Sequence, residues 1–136
     1  MSALSPHFKT EEFCCKCGKC GNECKINLDL INALEELRDG VDKPIIILSG
    51  YRCPNSNKMA NGVSHSQHLL GNAADIRIPG FTLQQMYEAA KRVFAFSDGG
   101  IGVYDGNFLH VDVRKTKARW ARVEDKYVAL SELVTA

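Results

Sequence analysis

The sequence predicts a small α+β domain built on a largely antiparallel sheet. Three observations carry that expectation. Apolar residues recur at helical spacing in two separate stretches, short strand-like runs lie between and after them, and an Asp-Gly dipeptide joins two of those runs as a tight hairpin would. With 136 residues, no internal repeat and no low-complexity linker, residues 1–136 are expected to form one domain, with 1–26 as a cysteine-rich segment packed on the rest.

Each element follows from its local pattern. Asn27 is placed to cap a helix over 28–39, in which Leu30, Ala33, Leu34 and Leu37 share a face and Gly40 is the expected stop. Pro44 opens the run 45–48, apolar on both faces and therefore suited to a buried strand. Residues 49–67, rich in Gly, Ser, Asn and Pro, are expected to form a long polar loop, and loops of that length in compact domains are usually functional. Residues 73–78 alternate, with Ala74, Ile76 and Ile78 on one side and Ala73, Asp75 and Arg77 on the other. Thr82 and Gln85 have capping-box spacing, and the helix they open carries Leu83, Met86, Tyr87, Ala90 and Phe94 on one stripe. Asp105-Gly106 closes a hairpin whose second strand sets Phe108, His110, Asp112 and Arg114 against Leu109, Val111 and Val113. The tail from Glu124 is expected to be helical.

Composition narrows the function classes. A formal net charge of +1 gives no global field for drawing the protein to nucleic acid or to an anionic membrane. The one basic run, 114–122, has five cationic side chains around Trp120 and is expected to be a solvated surface loop. No apolar stretch approaches the roughly 20 residues of a membrane span. The N-terminus lacks the basic start and apolar segment of a secretory signal, so synthesis in the cytoplasm is expected.

Five of the six cysteines fall in "CCKCGKCGNEC", residues 14–24. The spacings of Cys14, Cys17, Cys20 and Cys24 allow a zinc knuckle, which would be a second, structural zinc. They equally allow a disulfide staple, with Cys53 as a further partner, or a set of reduced thiols. In each case the cluster is structural, because no histidine lies next to it in sequence.

The chemistry-bearing residues lie elsewhere. "SQHLLGNAADI", 66–76, supplies His68 and Asp75, and the hairpin supplies His110. Two imidazoles and a carboxylate with a fourth position left to water make an open, catalytic zinc site. Taken singly, each residue has a plainer role, as a loop hydrogen-bonder or a surface carboxylate.

"SQHLLGNAAD" fits the pattern S-x-H-x-x-G-x-A-x-D and resembles the zinc D-alanyl-D-alanine carboxypeptidases and L-alanyl-D-glutamate endopeptidases, peptidoglycan peptidases that share a fold with the hedgehog signalling domain. "LSGYRCPNSN" resembles that family's S-G-Y-R segment, "FLHVDVR" its third-ligand strand, and Arg119-Trp120 a trailing element, so the likeness spans 48–120. It is nearest in kind to short phage and prophage endolysin-like members, which often begin with a cysteine-bearing segment.

The resemblance implies that His68, Asp75 and His110 hold one catalytic Zn2+, that Arg52 binds the substrate's carbonyl oxygen or carboxylate and stabilises the oxyanion, and that Ser66 binds substrate or ties down the loop. It implies hydrolysis of peptidoglycan stem peptides by zinc-activated water, of either bond type. A monomer acting on the cell wall after release is expected, without nucleic acid or membrane insertion. The chain departs from the family at Asn107, where several members carry the acidic general base three residues before the last zinc histidine. Asp112, on His110's face, could replace it as base or serve to orient His110, with His65 and Asp105 as further candidates. Two other readings remain: a non-catalytic, zinc-containing relative that binds cell wall, and a zinc-knuckle nucleic-acid module using the cysteines and the basic run.

Overall fold

Alternation along the strands gives the sheet two unlike faces, and everything else is placed by them. The computed structural model describes residues 4–21, 23–59 and 66–135. Its sheet has six strands: β1 (Ile46–Ser49), β2 (Ala73–Arg77), β3 (Gly100–Tyr104), β4 (Phe108–Asp112), β5 (Ala118–Val123) and β6 (Lys126–Val128). They lie in the order β1-β2-β4-β3-β5-β6, and every neighbouring pair is antiparallel except β3 with β5. Four helices accompany the sheet, α1 (Leu28–Val41), α2 (Pro54–Met59), α3 (Leu83–Lys91) and α4 (Phe94–Ser97), so the fold is α+β.

One sheet face presents Ala74, Ile76, Ile101, Val103, Leu109, Val111 and Ala121, all fully buried. Against it α3 and α4 bring Met86, Ala90 and Phe96, and α1 adds Leu30, Leu34 and Leu37 to the same cluster. Each Val, Leu, Ile, Met or Phe among them contributes about 1.5–3 kcal/mol on removal from water, and the alanines less. The caps fall where the side chains allow them. Asn27 Oδ1 accepts the Asp29 N–H at 2.9 Å, and Thr82 and Gln85 bond reciprocally at 3.1 and 2.8 Å.

Several expectations are corrected. The first helix runs past Gly40 to Val41, and Asp42 takes the left-handed cap at φ 50°. An Asp can adopt that conformation, so the glycine is not needed there. The stretch 49–67 is not one irregular loop, since it contains α2 and runs into a 3-10 turn, Gln67–Leu70. Phe94 is 76% exposed, because α3 stops at Lys91 and the chain turns before α4. The basic run is not a loop: its second half is β5, parallel to β3 inside the sheet. The tail forms β6 and a short 3-10 turn rather than a helix. The hairpin loop has three residues, with Asn107 left-handed at φ 61°.

Two left-handed glycines separate conformation from packing. Gly71 has φ +76°, and a Cβ there would collide with the Lys25 carbonyl, whereas Gly80 has φ +84° and open space around it. Gly71→Ala is therefore expected to lower unfolding stability by about 3 kcal/mol or more, and Gly80→Ala by only about 1 kcal/mol, in urea titrations. Equal losses would contradict the close approach of the Lys25 segment to the His68 turn.

Candidate metal centre and cleft

The polar sheet face carries the site. Asp75 in β2 and His110 in β4 are cross-strand partners in register, so their side chains rise side by side. His68 comes from the 3-10 turn before β2, where Ser66 Oγ accepts the His68 N–H at 3.2 Å and fixes the start of the turn. Gly71 in its left-handed conformation then ends the turn, and the small, fully buried Ala73 and Ala74 carry the chain into the sheet.

The three side chains converge. His68 Nε2 is 3.1 Å from Asp75 Oδ1, His110 Nδ1 is 3.2 Å from His68 Nε2, and His110 Nδ1 is 3.4 Å from Asp75 Oδ1. Ligands about 2.0–2.1 Å from a tetrahedral zinc lie about 3.3 Å from one another, so these atoms have the spacing of one triangular face of such a site. All three residues are buried, and together they form a group able to hold a metal ion.

The outer ring nitrogens fix the inner ones. His68 Nδ1 is 2.7 Å from the Gly50 carbonyl, to which it can only donate, and His110 Nε2 is 2.6 Å from Asp112 Oδ2. With the protons on those outer nitrogens, each neutral ring aims a lone pair at the centre, where the Asp75 oxygen also points. Three acceptors at hydrogen-bond distance with no proton among them repel one another unless a cation lies between. Zinc, which takes imidazole nitrogen and carboxylate oxygen, fits the donor set.

Asp112 is fully buried and accepts five hydrogen bonds, from His110 Nε2, Gly100 N–H and three Arg114 donors. Its lone pairs are thus committed on the far side of His110, away from the convergence point. The glycines of β3 explain the room it has: a Cβ on Gly100 would meet the Asp112 carboxylate, and one on Gly102 would meet the Trp120 indole. Trp120 in turn packs 4.9 Å from the His110 ring and donates to Tyr104 Oη at 3.1 Å.

In the metal-free protein, where a proton can take a cation's place among these atoms, burial by itself would raise the Asp75 carboxyl's pKa, but interactions with the His68 and His110 rings outweigh it and hold it well below the ordinary carboxylate range. For Asp112 burial is likewise outweighed, by bonds from His110 and Arg114. Burial opposes protonation of His110, yet its contacts with Asp112 and Asp75 leave its pKa above the usual value.

A cleft of about 280 Å³ opens over His68, Asp75 and His110. Arg52 and Ser66 line it, as do Tyr104, Asp105, Trp120, Arg122, Asp125 and Tyr127. Arg52 is braced from three sides, by Ser49 Oγ at 3.3 Å, Asn57 Oδ1 at 3.3 Å and Asp75 Oδ2 at 2.8 Å. Asn107 is exposed and does not line the cleft, and His65 lies outside the described residues. Arg122 and Tyr104 escaped sequence reasoning. Neither stood out in residue order, because Arg119-Trp120-Ala121-Arg122 does not alternate and its place in the sheet comes from pairing with β3, the strand that carries Tyr104. The arginines of the basic run are engaged: Arg114 on Asp112, and Arg119 on the Ser97, Gly99 and Ala118 carbonyls.

The cysteines also divide differently from the expected set. Cys14 is joined to Cys24 in a disulfide, and Cys17, Cys20 and Cys53 gather instead with Cys15, which the spacing reading passed over. Cys14 and Cys15 are adjacent, so spacing could not say which of them turns inward.

A sheet face that directs two imidazoles and a carboxylate to one point under an open cleft has the make-up of a metal-dependent hydrolase. The family model described as Peptidase M15 matches residues 6–112, and the chain belongs to that family of zinc metallopeptidases. No curated protein matches the chain.

The shifted groups predict how the metal-free protein responds to pH. Depressed carboxyl values at Asp75 and Asp112 contribute stability that is full above about pH 4 and lost as pH falls. The raised value at His110 contributes stability that is full below about pH 6.5 and lost as pH rises through its folded pKa. In chelator, Tm is expected to peak between those limits and fall on both sides, with both limbs reduced in the Asp75→Asn, Asp112→Asn double variant, because the same two carboxylates raise the His110 value.

Proposed function

We propose that the protein is a zinc-dependent peptidase that hydrolyses the peptide stems of bacterial peptidoglycan, acting on the wall after release, as an endolysin does. The observation that carries this reading is the triangle of His68 Nε2, Asp75 Oδ1 and His110 Nδ1, 3.1–3.4 Å on a side, on the floor of the cleft. These residues would hold the zinc, which when bound lowers the pKa of a water to about 7 and polarises a carbonyl oxygen.

The remaining roles belong to the chain's own side chains. Arg52, anchored to Asp75 and lining the cleft, binds the substrate carbonyl oxygen or carboxylate and offsets negative charge developing there. Ser66 lines the same cleft, and its hydroxyl steadies the His68 turn. Arg122, whose Nη2 donates to the Asp125 carbonyl at 2.9 Å, lines the same cleft and is a second cation for an acidic stem peptide. Asp112 orients His110 rather than taking a proton, because its oxygens are already committed. Proton transfer then falls to a carboxylate that lines the cleft, Asp105 or Asp125.

Purified peptidoglycan incubated with the zinc-loaded protein is expected to release new amine groups, and chelator is expected to abolish this. Mass spectrometry of the products distinguishes free D-alanine from cleavage at L-Ala–D-Glu. No fragment under either condition, with the protein still pelleting with the wall, would favour the non-catalytic binder instead, for which Asn107 is the motive.

Asp112→Asn separates orientation from base chemistry. If Asp112 orients His110, zinc affinity falls about 10–100-fold and added zinc restores hydrolysis. A loss that zinc does not restore, at unchanged metal content, would make Asp112 the base. Asp105→Asn and Asp125→Asn, by contrast, are expected to keep the metal, and one of them to lose turnover.

A further inference from the structure

A second metal-ligating cluster lies away from the cleft floor. The Sγ atoms of Cys15, Cys17, Cys20 and Cys53 all lie within 4.8 Å of one another, and none of the four is in a disulfide. Cys17 Sγ and Cys53 Sγ are 3.8 Å apart. Four sulfurs about 2.3 Å from a tetrahedral zinc are separated by about 3.8 Å, so this pair already has the length of that tetrahedron's edge.

The backbone around the cluster is arranged for thiolates. The Lys19 N–H donates to Cys17 Sγ, the Cys53 N–H to Cys15 Sγ and the Ser56 N–H to Cys53 Sγ, each at 3.4 Å. Gly18 and Gly21, which follow Cys17 and Cys20 directly, are left-handed at φ +75° and +77° with nothing within 4 Å of a Cβ. Their role is therefore conformational. Each turns the chain tightly after a cysteine, and past Gly18 the Lys19 N–H bonds back onto the Cys17 sulfur.

The segment also needs such a tie. The apolar cluster here consists of Cys15, Tyr51 and Cys53 with Cys17 and Cys20 against it, and residues 14–21 and 23–27 contain no helix or strand. So few apolar side chains bury little surface, and the Cys14–Cys24 disulfide closes the segment only on itself, so a metal shared with Cys53 would add the link to the α2 turn.

We propose that Cys15, Cys17, Cys20 and Cys53 hold a structural Zn2+, separate from the ion expected at His68, Asp75 and His110. Four thiolates fill a tetrahedral shell and leave no position for water, so this ion does no hydrolysis. It fastens the N-terminal segment to the turn that begins α2. Cys53 follows Arg52 directly, so the ion also anchors the backbone of the arginine whose guanidinium binds Asp75.

The site is independent of the peptidase reading and is tested without any assay of hydrolysis. The whole chain and its His68→Ala, His110→Ala double variant are purified from zinc-supplemented cells without chelator. Zinc per chain is then measured together with native thiol reactivity. Two zinc ions are expected in the wild type and one in the double variant. The four thiols should react with a mercurial only as that one zinc is released, and cobalt loading of the double variant should give thiolate-to-cobalt charge-transfer absorption. Should the double variant fold poorly, the wild type alone decides, through the zinc released as four thiols are modified. Freely reactive thiols in zinc-replete wild type would overturn the proposal. So would peptide mapping that finds disulfides among Cys15, Cys17, Cys20 and Cys53.

Discussion

Three Lewis-basic atoms brought within 3.4 Å of each other on the floor of the cleft is the constraint on which the rest of the structure depends. Left without positive charge, the arrangement would be repulsive, and the protein does nothing to relax it. Instead it tightens the geometry from behind, with the Gly50 carbonyl on His68, Asp112 on His110 and Arg52 on the second oxygen of Asp75. Each outer partner fixes a tautomer or a rotamer, so the inner atoms cannot turn away. Geometry held this firmly against electrostatic cost marks a site built for a cation.

The sheet makes that possible by dividing its labour between faces. The apolar face supplies cohesion, with Ile76, Leu109, Val111, Ile101 and Val103 packed under the helices. The opposite face can then carry a fully buried carboxylate, Asp112, because Arg114 and His110 are held against it and Gly100 leaves it room. Gly102 does the same for Trp120, which walls one side of His110. The two β3 glycines thus act through what they omit. A larger side chain at either position would strike a group that fixes His110.

Arg52 ties the cleft to the N-terminal segment. Its backbone N–H donates to the His68 carbonyl, its neighbour Tyr51 donates to the Phe13 carbonyl, and its other neighbour is Cys53. Movement of residues 13–20 would therefore be felt at the guanidinium within one or two peptide bonds. The cysteine-rich start is thereby coupled to the cleft.

Much of the fold was legible in residue order. Period-2 alternation at 73–78 and 108–114 specified which side chains face together, because a strand leaves no choice, and the caps at Asn27 and Thr82 set helix starts by local hydrogen bonding alone. The candidate site, by contrast, rested on the resemblance of 66–75 to a family pattern, since the spacing of His68 and Asp75 alone left plainer roles open. What could not be read was decided across long sequence distances. Whether the basic run is a loop or an internal strand depends on its pairing with β3, whether Asp112 accepts protons depends on Arg114 and Gly100, and whether Cys14 or Cys15 turns toward Cys53 depends on a neighbour some forty residues away. Sequence alone determined the metal-capable residue types and the faces they occupy, since these follow from chemistry and local periodicity. Tertiary structure decided which lone pairs remain free, because that is settled only when distant donors arrive.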